Sequence, residues 1–198
     1  MKNYYKIPLL LCILILISDS NYAQEKYLLS SSKILLEVSR DTALAQVGTL
    51  EKTGNNDGEV EKYQKAVGLK RGDAYCAAGQ YWCFLVSADA LGLNHNEIPI
   101  KRTGVANLMF NDAKQRGSKT SYKATMHDLL VWRKRNTNSG HIERIINAGK
   151  AGWVLTVGFN TGSGKPGSAC DGVYLRKRNI LHPLGRMAVR GLIGFNIK

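Results

Sequence analysis

The chain has 198 residues, 44% of them hydrophobic, and carries a formal net charge of +13. This length suits a single domain with a hydrophobic core, and so basic a chain favours a polyanionic partner. No predicted helix combines basic residues with a recognisable DNA-reading motif, which argues against nucleic acid as that partner.

Residues 1–23 have the pattern of a secretory signal peptide. Lys2 and Lys6 supply a positive start, an apolar run from Ile7 to Ile17 follows, and Ala23 is a small residue suited to cleavage. The run is about eleven residues long, short of the roughly 20 that span a bilayer, although an uncleaved anchor is the alternative. We therefore expect a secreted or periplasmic protein whose mature chain has no transmembrane segment. For such a protein the expected polyanion is an anionic polymer of the envelope.

The single domain expected over residues 24–198 contains three cysteines, Cys76, Cys83 and Cys170. In an oxidising compartment an odd number leaves at least one thiol unpaired, or paired between molecules. If Cys76 and Cys83 share a helix, their Cα atoms lie about 10 Å apart, beyond the roughly 7 Å that a disulfide allows. A disulfide between Cys83 and Cys170 stays open and would leave Cys76 free.

The first half of the domain is predicted to be helical, because its apolar residues recur at helical spacing between loops rich in Gly and Asn. The second half consists of short β-branched or aromatic runs separated by Gly, Asn, Ser and Pro. Helices followed by strands predict an α+β fold in which N-terminal helices pack on an antiparallel sheet. The predicted helices cover residues 28–45, 59–67, 74–90 and 105–114, and the predicted strands cover residues 129–132, 141–146, 152–159, 172–176 and 191–195.

Cys76 lies at the start of the third predicted helix, in the sequence DAYCAA. A helix N-terminus favours a thiolate through its unpaired N–H groups and its positive dipole end. The N–H of Cys76 would point at a developing oxyanion, and the small residues after it leave room for a substrate backbone. A buried core residue or one half of a disulfide is the alternative interpretation.

His141 is the expected base. It follows Gly140 at the start of a predicted strand, so its imidazole projects from a rigid element, and Gly140 lets another segment come close. A Cys/His pair distant in sequence but close in space is typical of a thiol hydrolase. The sequence has no Cys-x-x-Cys or His-Glu-x-x-His spacing, so neither a metal nor another cofactor is expected.

A third group must hold the imidazole in the right tautomer. Asn160, at the end of the predicted strand over residues 152–159, is the first choice. Glu143 competes with it, because Glu143 lies two residues beyond His141 and therefore on the same face of the strand.

Four stretches follow one another in an informative order: TGNNDG (53–58), YCAA (75–78) with Trp82, DLLVW (128–132) and GHI (140–142). Together with the later stretches 156–162, 172–178 and 190–195, they resemble the CHAP amidase/endopeptidase domains of the NlpC/P60-like, papain-related group. The resemblance covers roughly residues 30–198.

This resemblance implies a papain-like α+β fold and hydrolysis of peptidoglycan amide bonds, as an N-acetylmuramoyl-L-alanine amidase or a cell-wall peptide endopeptidase. It implies Cys76 as nucleophile, His141 as base and Asn160 as orienting amide. Tyr75 falls where family members have an aromatic residue beside the nucleophile, which implies a part in binding the oxyanion or the substrate.

The chain departs from the family pattern in two respects. Many relatives have Glu two residues before the Asn, where this chain has Gly158, and small or apolar residues usually follow the Gly-His pair, where this chain has Glu143 and Arg144. The sequence leaves two interpretations open: Glu143 replaces the missing acid, or the site is less active than in the relatives. The matching alternatives in function are a non-catalytic envelope-binding protein on the same fold and a transferase that passes the acyl group to an amine.

Overall fold

The computed structural model describes residues 24–164 and 170–198, so the predicted signal peptide, residues 1–23, lies outside the described residues. Within these ranges the helices are α1 Lys33–Ala45, α2 Glu61–Ala66, α3 Cys76–Ala90 and α4 Ala106–Arg116. None of these helices is long and apolar enough to cross a membrane. The strands are β1 Glu25–Ser31, β2 Ser118–Thr120, β3 Leu129–Lys134, β4 Gly140–Ala148, β5 Trp153–Thr161, β6 Gly172–Asn179 and β7 Met187–Ile197.

The strands form one mixed sheet with the order β2-β1-β7-β3-β4-β5-β6. β1 runs parallel to β7, with Glu25 opposite Gly191, and the other neighbouring pairs are antiparallel. The predicted α+β class is confirmed. The prediction of an antiparallel sheet is wrong at this one pair, because it did not include β1.

The first predicted helix began too early. Residues 25–31 form β1 instead, where Tyr27, Leu29 and Ser31 are buried and the intervening Leu28 and Ser30 are more exposed, as expected for alternate residues of a strand. Ser32 then starts α1, because its hydroxyl accepts a hydrogen bond from Leu35 N at 3.3 Å and so satisfies one of the free N–H groups of the first turn.

Helix α3 is the central element of the layer that covers one face of the sheet. Ten of its 15 residues are buried, so it is packed on several sides, as predicted. At Gly79 the helix approaches β5 so closely that a Cβ atom would lie 2.3 Å from the ring of Phe159. This contact sets the helix against the sheet and fixes the position of Cys76 at its N-terminus.

Side chains along β4 alternate between the two faces of the sheet. Ile142 belongs to the core under the helices, and Arg144 donates a hydrogen bond to Leu36 O of α1 at 2.8 Å. His141 and Glu143 therefore point to the opposite face. That face carries a second, smaller apolar cluster, built from Leu130, Trp132, Ile145, Val154, Ile180, Val189 and Leu192.

Cys76, Cys83 and Cys170 are all free thiols in the structure. Cys83 is fully buried in α3, and this burial raises the pKa of its thiol to about 12. Because a buried thiol of this kind stays protonated near neutral pH, Cys83 is unsuited to act as a nucleophile.

Candidate active site

Cys76 is the first residue of α3, which agrees with its predicted place at a helix start. The preceding residue, Tyr75, makes no side-chain capping hydrogen bond, so its side chain does not occupy the unpaired N–H groups of the first helical turn. Cys76 Sγ lies 3.9 Å from the carbonyl oxygen of Gly140. The helix N-terminus therefore meets the beginning of β4, where the predicted base is located.

The loop that leads into Cys76 is held by Asn56. The Asn56 side-chain amide donates to Gly72 O at 2.9 Å, and its backbone oxygen accepts from Gly72 N at 3.2 Å and from Gln64 Nε2 at 2.9 Å. Gln64 Nε2 also donates to Asp73 O at 2.7 Å. The TGNNDG stretch thus fixes the backbone just before the candidate nucleophile.

Asn107 of α4 fixes the turn between β3 and β4. Its side chain is buried, and Nδ2 donates to the carbonyl oxygens of Asn138 and Ser139 at 2.9 and 2.8 Å. Oδ1 accepts from Arg190 Nη1 at 2.6 Å. A Cβ atom at Gly140 would lie 2.9 Å from Asn107 Nδ2, so the expected close approach at this glycine is present. The segment before His141 is therefore held in one position.

His141 lies near Cys76 and Glu143. A general base needs a proton donor to act on and a group that orients it, and these two side chains suit those roles. Nε2 is 3.0 Å from Glu143 Oε1, and the Cys76 side chain lies close enough to the ring to raise the pKa of the imidazole. Burial disfavours the charged imidazole, but the interactions with Cys76 and Glu143 outweigh burial and raise the pKa of His141 to about 10. The site therefore favours an imidazolium at position 141 at neutral pH.

Glu143 is fully buried, and its carboxylate is bound by neighbouring strands. Arg178 donates from Nε to Oε2 at 2.9 Å and from Nη2 to Oε1 at 2.5 Å, a bidentate pair. Thr156 Oγ1 donates to Oε2 at 2.6 Å. Burial opposes ionisation, but the bonds from His141 and Arg178 lower the pKa of Glu143 to about 2. Glu143 thus stays negative and can fix the tautomer and orientation of the imidazole.

The sequence analysis did not identify Arg178 and Thr156 as parts of this site. Both residues reach Glu143 from other strands, so their contacts depend on the sheet register, in which Glu143 is opposite Gly158. The glycine at position 158 was an indirect sign of the buried carboxylate, because a Cβ atom there would lie 2.8 Å from Glu143 Oε1. The glycine provides the space that the carboxylate occupies.

Asn160 is placed away from the imidazole. Its side-chain Nδ2 donates to Asn56 Oδ1 at 2.7 Å and to Glu51 Oε1 at 3.4 Å. Asn160 has a φ of 53°, and the register of β5 and β6 shifts between Gly158 and Thr161. This irregularity turns the end of β5, and the contact expected between Asn160 and His141 is made by Glu143 instead.

Tyr75 contacts Glu51, as Asn160 does. Its ring is buried, and its hydroxyl donates to Glu51 Oε1 at 3.2 Å. Burial, followed by the charge of Glu51, raises the pKa of the Tyr75 hydroxyl far above its usual value. The proton therefore stays on the hydroxyl, which donates a hydrogen bond to Glu51, and Tyr75 lies just before Cys76 in the chain.

The described residues contain no group of three or more His, Cys, Asp or Glu side chains arranged to hold a metal ion. Comparisons of the chain with models of protein families, with curated proteins and with solved structures found no match. Function must therefore be inferred from the chemistry of Cys76, His141 and Glu143.

Proposed function

We propose that this protein is a cysteine hydrolase of amide bonds. Cys76 is the nucleophile, His141 the general base and acid, and Glu143 the group that orients the imidazole. The observation that supports this most directly is the position of His141 between the Cys76 thiol and the Glu143 carboxylate. In enzymes that transfer an acyl group through a thioester, the nucleophile commonly lies beside a base, and a third group orients that base.

We also propose that the fold is papain-like. Its support is the meeting of a helix N-terminus that carries a thiol with a sheet that carries the histidine. This layout matches the expectation from the resemblance, with Glu143 in the orienting role instead of Asn160.

In the first step, the Cys76 thiolate attacks the carbonyl carbon of the amide, and an electron pair moves to the carbonyl oxygen. The N–H groups at the start of α3 stabilise this oxyanion. As the oxyanion collapses and the C–N bond breaks, the His141 imidazolium gives its proton to the leaving nitrogen. The products of this step are a free amine and a thioester on Cys76.

In the second step, neutral His141 takes a proton from water, and the water oxygen attacks the thioester carbon. The C–S bond breaks, sulfur leaves as thiolate, and the acyl group leaves as a carboxylic acid. Glu143 stays ionised in both steps and stabilises the imidazolium that forms each time. Arg178 and Thr156 act through Glu143 and are positioning residues.

The proposed substrate is peptidoglycan, cut between sugar and stem peptide or within the peptides. The support is threefold: the ordered resemblance to CHAP domains, the predicted signal peptide, and the net charge of +13, which suits an anionic wall. A basic protein is drawn to such a polymer at low ionic strength and less so at high salt.

Digestion of purified peptidoglycan tests the proposal, with fragments resolved by mass spectrometry. The wild-type protein is compared with Cys76→Ala and with Cys83→Ala, a matched control in the same helix whose thiol is fully buried. We expect soluble fragments from the wild type and from Cys83→Ala, and none from Cys76→Ala. The fragment masses identify the bond that is cut.

Three outcomes would change the proposal. If the folded, reduced wild type binds peptidoglycan but releases nothing, the protein is an envelope-binding protein. If Cys76→Ala cleaves as fast as the wild type, Cys76 is not the nucleophile. If an added amine replaces water in the product, the enzyme is a transferase with the same thioester intermediate.

A further inference from the structure

A pocket lies where β5 begins and β6 ends. It is lined by Trp132, Trp153, Lys177, Arg178, Asn179, His182, Pro183 and Leu184. Trp153 is 42% exposed, a large apolar surface to leave in contact with water. The pocket therefore offers an aromatic surface that no described residue covers completely.

The charge of this pocket is positive. Lys177 Nζ lies 4.9 Å from the centre of the Trp153 ring, and the lining contains Arg178 but neither aspartate nor glutamate. Among the described residues, Lys177 forms no salt bridge. An unpaired ammonium beside an exposed indole suits an anionic ligand that also has an apolar part.

Two side chains connect the pocket with the candidate catalytic residues. Arg178 uses Nε and Nη2 for Glu143, so Nη1 lies outside that pair. Trp132 lines the pocket, and the centre of its ring is 5.9 Å from the centre of the His141 ring. A ligand in the pocket would thus lie next to the residues that flank the imidazole.

The walls of the pocket are fixed by internal hydrogen bonds. Trp132 Nε1 donates to His182 O at 3.1 Å, and Asn179 Nδ2 donates to Ala151 O at 2.9 Å. The Trp153 ring also meets the His182 ring edge to face, at 5.8 Å between centres. Because these groups are already held, binding requires little rearrangement of the pocket.

We propose that this pocket is a substrate subsite that binds a carboxylate-bearing part of the peptide, and this inference rests on the proposed function. Lys177 supplies the positive charge for the carboxylate. Trp153 packs against the aliphatic part of the same peptide unit. Stem peptides of peptidoglycan carry such carboxylates on short aliphatic side chains, so the subsite would distinguish them from amidated stems.

Binding is measured on the Cys76→Ala protein, which separates it from cleavage. The ligand is a soluble disaccharide-peptide fragment of peptidoglycan, prepared with its peptide carboxylates either free or amidated, and the dissociation constant is measured by calorimetry. We expect Lys177→Ala to weaken binding of the free-carboxylate ligand about fivefold and to leave binding of the amidated ligand unchanged. Lys177→Gln, which keeps most of the aliphatic stem, should behave in the same way.

Lys62→Ala is the matched control, because Lys62 Nζ also lies over an indole, 5.2 Å from the centre of the Trp82 ring, but outside the pocket. This variant should bind both ligands as the parent does. Equal weakening for both ligands, no weakening for either, or no binding at all would overturn the subsite. Displacement of the fragment by inorganic phosphate at constant ionic strength would overturn the carboxylate assignment, because the pocket would then accept any small anion.

The subsite and the proposed function fail in different measurements. A wild-type protein that cleaves no peptidoglycan refutes the hydrolase, whereas the difference between free and amidated ligands is read from the Cys76→Ala protein alone. If cleavage occurs and the Lys177→Ala variant keeps the same preference between the free and the amidated ligand as its parent, only the subsite is refuted.

Discussion

The carboxylate of Glu143 lies over Gly158 on the neighbouring strand, and a Cβ atom at position 158 would be 2.8 Å from Glu143 Oε1. The two residues are direct partners in the antiparallel ladder of β4 and β5. An acidic side chain from either position would therefore reach the same space beside His141. Under the proposed relationship to CHAP domains, the acid expected at the position of Gly158 is supplied here from the opposite strand.

Replacement of Glu143 by Gln should lower kcat/KM for amide cleavage by about 10²-fold to 10⁴-fold. Gln is similar in size but removes the charge that favours the imidazolium, so the pKa of His141 should fall towards its ordinary value. The measurements are steady-state kinetics on a peptidoglycan fragment and titration of the His141 ring by NMR. An unchanged rate with the ring titrating as in the wild type would contradict the role given to Glu143.

A carboxylate restored from the other strand should rescue part of this loss. We expect Glu143→Ala combined with Gly158→Glu to be about tenfold more active than Glu143→Ala alone. Gly158→Glu by itself should be destabilised, because its side chain would meet the buried carboxylate of Glu143. If the double variant folds, as judged by circular dichroism, and is no more active than Glu143→Ala, then the two positions are not equivalent.

The sequence alone predicted the positions of both residues of the candidate catalytic pair. Cys76 was expected at a helix start and His141 at a strand start, and both lie there. These predictions depend on local patterns, namely small residues after a cysteine and a glycine before a β-branched run. Local patterns also gave the positions of the later helices and of β3 to β7, with errors of a few residues at their ends.

The missed features depend on contacts between distant parts of the chain. β1 pairs with β7, about 165 residues later in the sequence, and its short run of apolar residues continues directly into α1. Arg178 reaches Glu143 only because β6 lies next to β5 in the sheet. The backbone of Asn160 is set by a register shift at the end of β5, which composition and spacing do not encode.

Loss of Arg178 should destabilise the fold as well as the site. Arg178→Gln leaves the buried carboxylate of Glu143 without its bidentate partner, and we expect a loss of about 3 kcal/mol in the free energy of unfolding. The control is Arg116→Gln, which removes an exposed pair with Asp112 on the surface of α4 and should cost about 0.5 kcal/mol. Denaturant titration measures both values, and equal losses would contradict the structural importance of the buried pair.

The pair of His141 and Glu143 should stabilise the fold most at mildly acidic pH. The pKa of His141 is raised from 6.5 to about 10 in the folded state, so its contribution is complete below pH 6.5 and is lost as the pH rises through 10. The pKa of Glu143 is lowered from 4.5 to about 2, so its contribution is complete above pH 4.5 and is lost as the pH falls through 2.

The contribution of the His141–Glu143 pair to the free energy of unfolding should accordingly be largest between about pH 4.5 and 6.5. His141→Gln should reduce the decline on the alkaline side, because the variant has no imidazole to deprotonate. Denaturant titrations of both proteins at a series of pH values provide the measurement. An alkaline decline of the same size in the wild type and the variant would show that other groups cause it.

Asn107 should affect the rate without touching the substrate, because it holds the two carbonyl groups that precede Gly140. Asn107→Asp keeps an oxygen for Arg190 but replaces the amide that donates to Asn138 O and Ser139 O. We expect kcat to fall about tenfold with little change in KM, since the position of His141 becomes less well defined while the binding surface remains. Asn111→Ala is the control, because Asn111 lies one turn later in α4 and also accepts a hydrogen bond from Arg190 but does not contact the turn. A larger loss in Asn111→Ala than in Asn107→Asp would place the effect in Arg190 instead of the turn.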